Sequence, residues 1–228
     1  MRDNVTAHNA SEYDMNITKT IPFYEQFHDE TIHLLQHYNQ TIEKWLDIGC
    51  GTGTLIEKVM PLFKDTEFIL CDSSDKMLEE AKVKLQKLDK HSLRYLSPCI
   101  SQNIETYLHE KVNAITAICV HHYLSKEDRF LATSQCYNVL DEEGIYVTFE
   151  NIKPSSLEGI EIALERWGDF QLRQGKVYEE VEKHKARFDN AYYPISIEEH
   201  MALLKKVGFK VCEVFWCSYM QAGFYAIK

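Results

Sequence analysis

Asp47-Ile48-Gly49-Cys50-Gly51-Thr52-Gly53 is the run whose residue types and spacing point most directly to chemistry. Three glycines at alternate positions let the backbone turn sharply and approach a ligand that a Cβ would hold off. An apolar segment, Trp45 to Ile48, enters the run, and Leu55, Val59 and Leu62, with Ile56, Met60 and Phe63 beside them, leave it at helical spacing. A strand, a glycine loop and a helix amino end together make a nucleotide-type cofactor site. The dinucleotide pattern G-x-G-x-x-G requires its third glycine at position 54, where this chain has Thr54. That spacing counts against a nicotinamide oxidoreductase. The next apolar segment, Glu67 to Cys71, ends at Asp72, an acidic residue suited to both hydroxyls of a ribose, with a helix cap as its alternative role.

Other polar residues are set at the same kind of edge. Val112 to Val120 reads as a central strand buried on both faces, ending at His121-His122-Tyr123. Gly144 to Phe149 reads as a further strand that delivers Glu150 and Asn151. His121, His122 and Glu150 are therefore the candidates for a general base, with packing as the competing role. His33 and His37 have the i, i+4 spacing of a metal pair, but no third ligand has metal spacing nearby, so no metal is expected.

At D-x-G-x-G-x-G the chain resembles the class I S-adenosylmethionine (SAM)-dependent methyltransferases. Asp72-Ser73-Ser74 followed by Lys76-Met77-Leu78 is similar to the second element of that family. The resemblance implies a Rossmann-like α/β fold with a seven-stranded, mostly parallel sheet of order 3-2-1-4-5-7-6, the last strand antiparallel, and helices on both faces. It implies SAM as cofactor, contacted by Asp47, Gly49, Cys50, Gly51, Gly53, Asp72, Ser73, Met77, Cys99, Ile100 and Val120. Cys99 stands where relatives usually carry an acidic residue against the adenine amine, which leaves Ile100 to cover the ring. Ile21-Pro22-Phe23-Tyr24 and the run from His200 to Lys228 look like the carboxy-S-adenosylmethionine synthase branch, in which Tyr24 would reach the cofactor. Within His200-Met201-Ala202-Leu203-Leu204, Leu203 replaces the arginine that pairs with the extra carboxylate in that branch. The expected activity is thus methyl transfer to a small-molecule acceptor. A SAM-binding regulatory protein and a carboxy-SAM synthase-like tRNA-modification enzyme are the alternatives.

The elements that must position these residues are mostly legible. With 228 residues, one domain spanning 1–228 is expected, with an amino-terminal arm and helix over 1–42 and a helical insertion over 152–195. Residues 1–20 read as a loose arm whose Tyr13-Asp14 folds back on the site. Thr20 would cap a helix from about Ile21 to Asn39, with Phe27, Ile32, Leu34 and Leu35 inward. Met77, Leu78, Ala81, Leu85 and Leu88 define a second helix face, and Leu93 to Leu96 a short strand. Ser125 with Asp128 and Ser196 with Glu199 are cap signatures, the second opening a helix that stops at Gly208. Leu131 and Leu140 are read as the inner side of the first of these helices. The insertion reads as a lid, bent at Gly159, Gly168 and Gly175, whose Trp167, Phe170 and Tyr178 exclude water; an arm in a homodimer is the other reading.

Composition narrows the class. The chain is 45% hydrophobic and 26% charged, and no apolar run approaches the ~20 residues of a membrane span. Its formal net charge of −10 argues against an extended nucleic-acid contact, tRNA included. Seven cysteines without a C-x-x-C pair read as reduced, buried small hydrophobes, and with a polar amino terminus they place the chain in the cytoplasm.

Overall fold

The computed structural model describes residues 4–88 and 92–228. Its sheet has the order β3-β2-β1-β4-β5-β7-β6, formed by β1 (Lys44–Ile48), β2 (Glu67–Cys71), β3 (Leu93–Tyr95), β4 (Val112–Ile118), β5 (Leu140–Asn151), β6 (Val211–Ser218) and β7 (Gln221–Ile227). β1 to β5 pair in parallel, and β7 runs antiparallel to both β5 and β6. The arrangement agrees with the expected order. Parallel neighbours require crossovers, which the helices supply and which cover both faces of the sheet.

Period-two alternation divides the central strands between two cores. Trp45, Phe68, Leu70, Ala114 and Val147 face α2 (Tyr24–Gln36), α3 (Thr54–Val59) and α4 (Asp75–Leu85). Leu46, Ile69, Ile115 and Tyr146 face α6 (Lys126–Val139) and α9 (Ile197–Val207), with the one-turn α5 (Ile104–Tyr107) beside them. A third cluster lies beyond the carboxyl ends of the strands, where Ile17 and Ile21 meet Phe27, Phe149, Trp167 and Tyr192. It joins α1 (Tyr13–Thr20) to α7 (Leu157–Arg173), while α8 (Tyr178–Lys185) packs on α7. Among the described residues, no helix is long and apolar enough to cross a membrane.

The cap signatures are realised: Ser125 accepts from the Asp128 N–H, and Ser196 and Glu199 form a complete capping box. Gly208 ends α9 at φ 124°. Several local expectations are corrected. Residues 13–20 form α1 rather than a loose arm, because Ile17 and Thr20 are buried and the Trp167 Nε1–H donates to the Thr20 carbonyl at 2.6 Å. Thr20 therefore ends one helix instead of capping the next. Pro22 forces the break, since the residue before a proline favours extended backbone and Ile21 adopts φ −106°, ψ 119°. α2 then starts after Phe23, whose φ is 57°, and ends at Gln36 rather than near Asn39.

Leu62 and Leu131 are exposed, at 53% and 45%, and Leu140 opens β5 instead of lining α6. The insertion bends at Gly175, whose φ is 86° between α7 and α8, but not at the other two expected glycines. Gly159 and Gly168 lie inside the unbroken α7, and a Cβ on Gly168 would stand 3.0 Å from Val181, so this glycine permits the close crossing of α7 and α8. Tyr178 is 69% exposed and shields nothing, whereas Trp167 is fully buried. Cys217 is exposed, an exception to the expectation of buried cysteines.

Candidate cofactor and acceptor site

The glycine loop bends through three successive left-handed glycines, Gly49 at φ 62°, Gly51 at 54° and Gly53 at 78°. Two of them show why glycine is needed. A Cβ on Gly49 would fall 2.5 Å from a Val120 methyl, so only glycine lets the loop meet the end of β4. At Gly51 no atom stands within 4 Å of the Cβ position, and the open space is the cavity itself. Gly53 lies behind the loop, where its Cβ would touch Ala81 and Leu85 of α4; it shapes the loop without lining the cavity.

The cavity holds about 200 Å³ beyond the carboxyl ends of β1, β2 and β4. Gly49, Gly51, Asp72, Ser73, Met77 and Val120 line it, together with Cys99 and Ile100 on the far wall. Asp72 is fixed from two sides: Oδ2 accepts the Gly51 N–H at 3.0 Å and Oδ1 accepts the Ser74 N–H at 2.8 Å. Burial raises its carboxyl above the ordinary value, and these backbone donors partly oppose the rise. The helix cap is Ser74, which accepts from Met77, so Asp72 is left at the ligand edge. The Cys99 N–H donates to the Asp72 carbonyl at 3.1 Å and ties the two walls together.

A smaller hollow continues beneath the loop, lined by Asp47, Cys50, Thr52, Tyr13, Tyr24 and His28. Asp47 is buried, accepts the Thr116 hydroxyl at 2.6 Å, and has its pKa pushed up to about 7 by desolvation. The Tyr13 and Tyr24 hydroxyls stand 3.4 Å apart, and burial keeps both phenols protonated. His28 is neutral, lowered to about 4 chiefly by burial. α1 is anchored over this end by a polar knot in which Lys84 donates to Asp14 at 2.6 Å, to Thr54 at 2.6 Å and to Thr52 at 2.9 Å.

His121, His122 and Glu150 do come together, but under the cavity floor and not in its lining. All three are at most 2% exposed. Glu150 accepts the backbone N–H groups of His121 and His122 at 3.1 and 2.8 Å, the Thr148 hydroxyl at 2.8 Å, and faces His122 Nδ1 at 2.7 Å. Burial alone would raise Glu150, but the His122 hydrogen bond and the three histidines around it win and hold it at about 2. His121 stacks near Tyr146, with Nδ1 3.1 Å from the phenol oxygen. The three residues thus fasten the turn after β4, which carries Cys119 and Val120 into the cavity; as general bases they have no access to it. Position at the strand edge was readable in sequence. The inward phase of the turn was not.

Sequence reading also missed lining residues. Asn4, Val5 and Thr6 roof the cavity, Ser101 and Gln102 extend the wall beside Ile100, and Tyr123 and Leu124 close the side beyond β4. The roof had no sequence signal. Leu203, half-buried on α9, does not line the cavity. Among the described residues no group of histidine, cysteine or acidic side chains has metal-binding geometry.

Residues 46–146 match the family profile described as a methyltransferase domain. The match begins in β1 and ends in β5, so it contains the glycine loop, Asp72 and the cavity floor. Over that segment the chain is similar to methyltransferase domains. It is similar to the carboxy-S-adenosyl-L-methionine synthase of Staphylococcus epidermidis, with 24% identity over 96% of this chain and 93% of that protein. Among solved structures, the plantazolicin methyltransferase BpumL, in complex with a pentazolic desmethylPZN analog and SAH, superposes with a TM-score of 0.68 and 14% identity, over 96% of this chain and 90% of that one. Magnesium protoporphyrin IX methyltransferase from Synechocystis PCC 6803, with bound SAH, gives 0.64 and 18% over 93% and 87%. At these identities the solved structures speak for the fold. The residues around the glycine loop fit S-adenosylmethionine or SAH: an open glycine at Gly51, a fixed carboxylate at Asp72, and a buried acid, Asp47, that a cation would stabilise.

Proposed function

We propose that this domain transfers a methyl group from S-adenosylmethionine to a small-molecule acceptor. One observation carries the reading: the glycine-loop cavity is lined by acidic, uncharged polar and apolar side chains, and no lysine or arginine among the described residues lines it. A cationic sulfonium with an amino-acid tail suits such a wall, whereas a diphosphate or a carboxylated cofactor would bring in an unpaired negative charge. In this reading Asp72 accepts both ribose hydroxyls, Met77, Ile100 and Val120 enclose the adenine, and Asp47 faces the ammonium. The Tyr13 and Tyr24 rings stand where their faces can stabilise positive charge. S-adenosylmethionine supplies an electrophilic methyl on a good leaving group. The chain's contribution is alignment and exclusion of water, by the loop on one side and α1 on the other. Glu150, His121 and His122 act as positioning residues that hold the turn bearing Cys119 and Val120.

Carboxy-SAM formation is the second reading, favoured by the full-length similarity to synthases of that name. Mass spectrometry of the small molecule retained on purification separates the two. SAM or its demethylated product, S-adenosylhomocysteine (SAH), is the expected mass. A cofactor heavier by one carboxyl group would replace the methyl-transfer reading. Asp72→Ala should weaken SAH binding at least roughly tenfold, because a charge-assisted hydrogen bond contributes about 1.5–3 kcal/mol. Unchanged calorimetry in that variant removes Asp72 from the cofactor contacts.

A further inference from the structure

We propose that the space between α1 and the α7–α8 pair is the acceptor site, and that it takes a small carboxylate with a flat apolar body, the carboxylate serving as a handle held by Arg187. The proposal rests on the cofactor reading above. Tyr13, Cys119 and Tyr123 line both the cofactor cavity and a narrow chamber of about 30 Å³ behind it, so the two share a wall. The chamber is bounded by Ile17, Ile21 and the Trp167 indole, surfaces that suit a planar apolar group. It continues outward into a hollow of about 170 Å³ beside Lys176, Lys183 and Arg187, with Arg187 and His184 shared between the two.

Two features of this space suit it to a ligand. Tyr192 is 2% exposed and lines the chamber, yet its hydroxyl has no hydrogen-bond partner among the described residues. Buried hydroxyls are nearly always satisfied, so an orphan on a chamber wall marks where a ligand acceptor belongs. The second feature is the state of the cations. Arg187 donates to a neutral carbonyl, that of Val5, at 2.9 Å and to the Tyr123 hydroxyl. Lys176 is half-buried and donates to the Thr20 hydroxyl at 2.6 Å. Neither has a carboxylate at ion-pair distance among the described residues.

The surrounding charge leaves room for an anion. Lys183 is taken up by Glu179 at 2.7 Å, at the solvent side, and among the described residues Glu180 is the one acid that lines the hollow with Lys176 and Arg187. His184, whose Nδ1 lies 2.8 Å from the Gln171 amide nitrogen, is kept neutral by burial and by the neighbouring cations. A ligand carboxylate would replace the Val5 carbonyl as the acceptor for Arg187, exchanging a neutral hydrogen bond for a charge-assisted, two-pronged one. The 30 Å³ chamber admits about one water, so the apolar body enters by displacing residues 6–8, which form its outer wall. The displaced Val5 carbonyl would turn to solvent.

The test uses the full chain saturated with SAH and compares benzoate with its neutral isostere benzamide by calorimetry. Benzoate should bind at least about tenfold more tightly than benzamide, the factor expected from one charge-assisted contact. Arg187→Gln should erase that preference. Tyr192→Phe should weaken benzoate about fivefold while leaving thermal stability and SAH affinity unchanged, because the hydroxyl it removes has no partner in the free protein. A merely structural Tyr192 would not give that split. Equal affinity for the two probes, absence of benzoate binding, or an unaltered benzoate affinity in Tyr192→Phe would each overturn the proposal. Failure of the wild-type chain to bind SAH would instead overturn the cofactor reading on which it stands.

Discussion

Binding of SAH should become about 100-fold tighter between pH 5 and pH 8, and Asp47 should be the cause. In the free protein this carboxyl titrates at about 7, raised from 3.8 first by desolvation and further by Asp72, against the Thr116 hydrogen bond. An ammonium placed beside it would return its pKa toward the ordinary range. At pH 5 the free protein must then give up a proton to bind, and each of the two pH units below 7 weakens the apparent affinity tenfold, roughly 1.4 kcal/mol per unit. Within the hollow, His28 is lowered to about 4 and the Tyr13 and Tyr24 phenols are raised, so these three groups do not titrate in this window. Calorimetry at pH 6 in buffers of different ionisation enthalpy should record the release of about one proton. Asp47→Asn should flatten the profile and weaken binding at pH 8. Its stability effect has a definite sign: the native carboxyl keeps its proton up to about pH 7 while the unfolded one loses it near 4, so the free protein loses stability as pH rises through that interval. The Asn variant should therefore raise the melting temperature of the ligand-free protein at pH 8 but not at pH 4. A flat wild-type profile, or a steep one that persists in Asp47→Asn, would refute the placement of the cofactor's ammonium.

Gly51→Val should abolish SAH binding, because a β-branched residue at φ 54° is strained and its methyls would enter the cavity; unaltered affinity in that variant would count against the loop assignment. Glu150→Gln should destabilise the chain by about 1–3 kcal/mol at pH 7, the cost of leaving a buried donor without its acceptor, as read by urea denaturation. Since Glu150 is held at about 2 against 4.5 for the free group, that stability is present above about pH 4.5 and lost as pH falls toward 2. A wild-type and a variant that lose stability in parallel over this acid range would exclude the Glu150 carboxylate as the source. Hydrogen exchange should show α7 and α8 gaining protection when SAH and benzoate are added together, with little change in β4; a segment already fully protected without ligand, and released only on dilution, would be a dimer arm.

The cofactor half of the site was legible because it is built from near neighbours in the chain. β1, the loop and α3 are continuous, and Asp72 follows one crossover later, so a period-two run, three glycines and a period-3.6 run suffice to bring Asp47, Gly49, Gly51 and Asp72 to one edge. The strand order came from family resemblance, and the parallel pairing from the length of the crossovers. The surroundings of the cavity beyond that loop were not legible. Whether His121 and His122 face the ligand or the core depends on the phase of one turn, and Glu150, distant in sequence, decides it by accepting both of their N–H groups. α1 has little apolar pattern of its own and becomes a helix because Thr20 meets Trp167, 147 residues away, and Asp14 meets Lys84, 70 residues away. Local sequence encodes which segments can form elements and which residues stand at their ends. Contacts between distant segments, whose free energy appears only when the chain has closed on itself, determined which polar groups were buried as struts and which, like the Tyr192 hydroxyl, were left without a partner among the described residues.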